Sequence, residues 1–261
     1  MTTDDHMPFT QHLEELRWRI VYCFIAVVVG SAICYFFKER IFEILMTPLL
    51  QALSAQEGQK LIYTAPHEAF MTYLKVALLA GIGLAVPVIL YQFWAFVAPG
   101  LYEHERRYLL PIVFLSSLFF LGGALFGYFI VFPFGFKFFV SFANESITPM
   151  ISTKEFLSFA ARLLVAFGVV FELPILTFFL TKMGLVTADF LRRWRKYAIV
   201  LVFVVAAVLT PPDVFTQSFM AVPLIILYET SVFIARIFGK KEDEEAADEK
   251  EAPAGTEEPR S

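Results

Sequence analysis

The chain has 261 residues, 58% of them hydrophobic, 17% aromatic and only 18% charged. A soluble domain of this size carries about a quarter charged residues, so a soluble globular enzyme is excluded, as are collagen-like repetition and general disorder. The net charge of −4 is local: residues 240–261 hold nine acids and four bases, and the rest of the chain holds 17 bases and 16 acids.

Uncharged runs cover Ile20–Phe37, Val76–Tyr102, Tyr108–Phe136 and Tyr197–Pro212. Several approach or exceed the roughly 18 to 20 residues that cross a bilayer. In chain order six spans are expected, at about 18–37, 70–98, 109–132, 156–181, 196–210 and 214–238. The fold class is an all-α membrane protein, because the runs are continuous rather than the short alternating segments of a membrane barrel. Met1–Pro8 is polar and acidic, unlike the basic start of a secretory signal. The first apolar segment is therefore expected to stay as an anchor. Residues 1–238 form one membrane domain, and 239–261 an acidic tail expected to be disordered.

The fifth and sixth helices are expected to be short, the fifth about 22 Å long against a hydrocarbon core of about 30 Å. The fifth ends in Thr210-Pro211-Pro212-Asp213, which allows only a tight turn into the sixth. Twelve basic residues, among them Arg17, Arg19, Arg106, Arg107, Arg192, Arg193 and Arg195, flank one side of the predicted membrane domain, and five flank the other. The excess places both termini in the cytoplasm. Trp18, Trp94 and Trp194 fall near the cytoplasmic ends of spans, where indoles favour the interface. The outer loop over 38–67 contains an amphipathic stretch expected to break at Pro48, and the loop over 133–155 begins with the Phe-rich stretch 134–142.

Several chemistries are missing. No phosphate-cradling Gly-rich loop ends in Lys-Ser or Lys-Thr, and Gly81 with Gly83 in an apolar helix reads as packing. His67-Glu68 and His104-Glu105 lack the second histidine of a zinc helix, so no metal and no cofactor is expected. Cys23 and Cys34 lie about 16 Å apart along one helix, too far to bond. No nucleic-acid partner is indicated. Glu172 and Glu229 fall inside spans, where a charge costs on the order of 2.5 to 3.5 kcal/mol and needs a partner, a wet cavity or a proton. Glu172 lies two residues before Pro174, which frees backbone groups on the same turn. On the cytoplasmic side Glu14, Glu15, Glu103 and Glu105 form an acidic patch if the ends of spans one and two meet. Paired guanidinium groups are natural ligands for it.

The stretch His12-Leu13-Glu14-Glu15-Leu16-Arg17-Trp18-Arg19 resembles the His-Leu-x-Glu-Leu-Arg-x-Arg start of the TatC family, the multispanning subunit of the twin-arginine protein translocase. Phe96–Arg107 resembles that family's first cytoplasmic loop, and Phe167–Pro174 and Leu209–Gln217 resemble two further segments. The resemblance implies six helices in a concave bundle and a non-enzymatic receptor and scaffold in the bacterial inner membrane. It would bind twin-arginine signal peptides of folded cargo for export driven by the proton gradient. By the same resemblance Glu15 and Glu105 form the receptor with Phe96 and Tyr102 on one surface, and His12 and Arg17 belong to the motif. Glu172 is the mid-membrane carboxylate, while Pro48 and Asp213 occupy the first outer loop and the turn before span six. Thr210 and Gln217 face single-helix partners of TatA and TatB type, with self-association and lipid as further contacts. The rival from residues alone is a solute or ion transporter using Glu172 and Glu229 as coupling carboxylates.

Overall fold

A computed structural model of the chain describes residues 9–53, 62, 65–97, 109–142, 150–210 and 214–239, with side chains for all of these but 9–12, 52 and 53. Helix α1 (Phe9–Tyr35) turns into α2 (Lys38–Leu53), and α3 (Glu68–Val97) follows. Next come α4 (Leu109–Phe126), a π-helical turn (Gly127–Val131) and α5 (Phe132–Val140). Helices α6 (Thr153–Phe171), α7 (Leu173–Lys182), α8 (Ala188–Leu209) and α9 (Val214–Phe238) complete the order. The only β pairing among the described residues is an isolated parallel bridge between Ile62 and Ser152.

Five segments are long and apolar enough to cross a membrane: Leu13–Tyr35, Glu68–Val97, Leu109–Val140, Thr153–Lys182 and Val214–Phe238. Their outer faces are oily, with Phe24, Phe114 and Phe129 each about two-thirds or more exposed. Such a surface suits lipid and would aggregate in water. Helix α8 is not among the five, because Arg192, Arg193, Arg195 and Lys196 occupy its first half.

Helices α1 and α3 lie side by side, and two glycines set how close they come. A β-carbon on Gly81 would sit 2.4 Å from the backbone nitrogen of Ser31, and one on Gly30 would sit 2.8 Å from the Gly81 carbonyl oxygen. The backbones touch there, as small residues permit between membrane helices. Helices α4 and α6 cross in the same way, with the Gly123 position 2.5 Å from the Phe167 carbonyl oxygen.

The structure corrects four expectations. Helix α2 runs straight through Pro48 instead of breaking. Proline removes the N–H that would bond the Ile44 carbonyl, and the Tyr128 hydroxyl from the π turn donates to that carbonyl instead. The third span does not stop at residue 132. The π turn absorbs the irregularity, Pro133 fits the first turn of α5, and the Phe-rich segment continues the helix to Val140. The sixth span is not short, since α9 runs 25 residues and is long enough to cross; the fourth keeps its place over Thr153–Lys182, with Glu172 at a joint where Pro174 cannot continue the ladder to Val170. Trp94 is not an interfacial anchor. It is 3% exposed, packs on Phe179 with ring centroids 4.6 Å apart, and donates to Ser116 Oγ at 3.0 Å. An indole inside a bundle needs such an acceptor for its N–H. Trp18 and Trp194 are half exposed, as interface anchors are.

The main core gathers Phe132, Phe136, Phe156, Leu157, Leu163 and Phe167 with Leu49 of α2 and Met220 of α9. A second cluster around Trp94, Ile112, Val113, Ile175 and Phe179 packs the opposite part of the bundle. The start of α3 is fixed to the start of α6 by the buried Glu68, whose Oε1 accepts from Ser152 Oγ and the Lys154 backbone N–H, each at 2.9 Å.

Candidate functional site

The His12–Arg19 motif lies on α1 itself, which starts at Phe9 and continues without a joint into its apolar part. Glu15 and Arg19 are one turn apart on one face. The Arg19 guanidinium donates to Glu15 Oε1 from Nε at 2.9 Å and again from Nη2. It also reaches the last turns of α3: Nη1 donates to the Gln92 side-chain oxygen at 3.2 Å and to the Gln92 carbonyl at 3.5 Å, and Nη2 donates to the Ala95 carbonyl at 3.1 Å. The ends of a helix leave carbonyls without internal donors, and a guanidinium there satisfies both the hydrogen bond and the helix dipole. Glu15 and the end of α3 therefore form one small unit, with the Glu15 side chain 29% exposed and that of Arg19 20%.

Half-buried Phe96 follows Ala95 directly on the last turn of α3, and the chain then enters residues 98–108, which lie outside the described set. Tyr102 and Glu105 fall there, and Asp213 likewise lies outside the described residues. His12 is on the α1 backbone, but its side chain is outside the described residues. Arg17 and Glu14 are exposed on α1.

The remaining candidates lie elsewhere. Glu172 caps α6 at its joint with α7. Its Oε1 is buried with no hydrogen-bond partner among the described residues, and its side chain meets the hydroxyl of Ser116. Trp94, Ser116 and Glu172 thus form a short polar line across α3, α4 and the joint. Thr210 is buried and donates to the Ala206 carbonyl at 2.9 Å. Half-buried Gln217 donates from Nε2 to the Phe203 carbonyl at 2.9 Å, tying α9 to α8. At the other end of that pair, Arg195 bonds Glu229 at 2.8 Å and the Tyr228 hydroxyl donates to the Leu191 carbonyl at 2.7 Å. Glu229 is therefore an ion-paired, half-exposed residue, which removes one of the two coupling carboxylates a transporter reading needs.

Residues 11–223 match the protein family described as "Sec-independent protein translocase protein (TatC)". The chain belongs to the TatC family. The TatC of Desulforapulum autotrophicum is 56% identical over 249 residues, 95% of this chain and 90% of that protein. The TatC of Escherichia coli K12 is 40% identical over 238 residues, 91% of this chain and 92% of that one. A crystal structure described as the twin-arginine translocase receptor TatC superposes with a TM-score of 0.78 at 43% identity, covering 86% of this chain and 97% of the other. TatC proteins are translocase components and not enzymes, so no reacting group has to be sought among these carboxylates.

Arg19, Ser116 and Tyr128 make structural contacts that the candidate residues did not include. For Arg19 a signal was present, since Glu15 and Arg19 have the four-residue spacing of a helical ion pair.

Proposed function

We propose that this TatC is the receptor and core scaffold of a twin-arginine translocase in the bacterial inner membrane. It takes the arginine pair of a folded cargo's signal peptide on a cytoplasmic patch made by Glu15 and Glu105, with Phe96 and Tyr102 beside them. Single-helix subunits of TatA and TatB type and further copies of the chain then assemble around it, and the proton gradient drives passage. The apolar part of α8 is the fifth of six spans, both termini are cytoplasmic, and Thr210 and Gln217 mark the α8–α9 side on which partner helices dock.

One observation carries this reading: Glu15 is held against the last turn of α3, from which the chain runs directly into the loop containing Glu105. A pair of carboxylates suits two guanidinium groups, which bind carboxylates in a planar fork that lysine cannot copy. Isolation of the tagged chain from native membranes in mild detergent tests the reading. Single-helix subunits and twin-arginine precursors are expected to come with it. A chain that comes alone, and that moves a small solute by itself in liposomes, would refute it.

A further inference from the structure

We infer that Arg19 is a positioning residue of the signal-peptide receptor: it sets where the Glu15 carboxylate stands relative to the end of α3. The inference rests on the receptor reading of Glu15 above.

A guanidinium has five N–H donors. In Arg19 all five are used, with two on Glu15 Oε1, two on Gln92 and one on the Ala95 carbonyl. A side chain so engaged has no donor left for a ligand, and its orientation is fixed from both helices. Both bonds to Glu15 fall on the same oxygen, Oε1. That oxygen is therefore tied to a group anchored on α3 before any peptide arrives. A preorganised carboxylate favours a bidentate guanidinium over a point-like ammonium, because the fork demands a defined plane. Arg17, two residues earlier, is exposed on α1. The two arginines of the motif thus have different tasks, and the task of Arg19 is directed inward.

Lysine at position 19 keeps the charge but offers three donors from one nitrogen, so it cannot serve Glu15, Gln92 and Ala95 together in this geometry. The test measures binding of a fluorescent peptide with an Arg-Arg signal motif to the purified full chain in nanodiscs. It compares the parent, Arg19→Lys, Gln92→Ala, Glu15→Gln and the double variants of each with Glu15→Gln. Thermal midpoints are recorded for all. Arg19→Lys is expected to weaken the peptide on the order of tenfold, as loss of an oriented charge-assisted contact does. Gln92→Ala, which removes a single acceptor of Arg19 and leaves the backbone intact, is expected to weaken it less, in the same direction. With Glu15→Gln already present, neither change is expected to weaken binding further, because both act through Glu15. A purely structural staple would lower the midpoint alike in both backgrounds and would add its binding loss to that of Glu15→Gln. Parental affinity in Arg19→Lys, or losses that multiply in the double variants, would overturn the inference. Parental affinity in Glu15→Gln would instead overturn the receptor reading beneath it.

Discussion

The hydroxyl of Tyr128 donates to the carbonyl of Ile44, the residue four positions before Pro48. A tyrosine on the π turn thus fills the gap that a proline opens in a helix more than eighty residues earlier in the chain. This contact joins α2 to the π turn within the third span and lets the amphipathic helix keep its length. Tyr128→Phe is expected to lower stability by about 1 kcal/mol, the typical worth of one such bond. Pro48→Ala supplies the missing N–H, so Tyr128→Phe should cost less in that background. Thermal midpoints of the four proteins in one detergent check this, and equal costs in both backgrounds would show that the two residues are independent.

The contact of α1 with α3 yields a matched pair of glycine variants. Gly81→Ala would press a methyl group into the Ser31 backbone, at 2.4 Å from its nitrogen, whereas nothing lies within 4 Å of the same position on Gly83. Gly81→Ala is expected to destabilise by roughly 1–3 kcal/mol or more through overpacking and to lower the amount of chain in the membrane. Gly83→Ala should be neutral or slightly stabilising, since alanine loses less freedom in a helix. Immunoblots of membranes with a thermal melt read both.

Glu172 stands at a helix joint with one oxygen unpartnered among the described residues and with Ser116 beside it. Glu172→Gln keeps an acceptor for the Ser116 hydroxyl, and Glu172→Ala removes it. Export of a twin-arginine reporter is therefore expected to fall less in the glutamine variant. Equal loss in both would assign Glu172 a proton-carrying role, because charge and protonation are what glutamine lacks.

The Arg195–Glu229 pair is 46% and 42% exposed and links α8 to α9. Half-exposed pairs are worth about 0 to 1 kcal/mol. Glu229→Gln should leave export of the reporter close to the parental level, and a Glu229→Arg, Arg195→Glu exchange should do the same. Abolished export in Glu229→Gln would restore this carboxylate as a coupling group.

Much of this architecture was legible because long apolar runs must form helices that cross the bilayer. The motif residues His12–Arg19 were readable as helix, and the shortness of the apolar part of α8 followed from the charges at Arg192–Lys196. The misreadings share a cause. Pro48 and Pro133 look like boundaries in one dimension, but Tyr128 and a π turn accommodate them in three. Trp94 looked like an interface residue from its place near a span end, and only its packing on Phe179 and its bond to Ser116 reveal a buried role. Arg19 was readable as a partner of Glu15 but not as an anchor on α3, since two of its acceptors there are main-chain carbonyls, which no side-chain pattern reports.

The receptor role of Glu15 and Glu105 is tested most directly by site-specific crosslinking of a twin-arginine precursor to membranes carrying the parent or the Glu15→Ala, Glu105→Ala double variant. The crosslink is expected to disappear in the double variant while the chain stays in the membrane at the parental level. Undiminished crosslinking would contradict the receptor assignment.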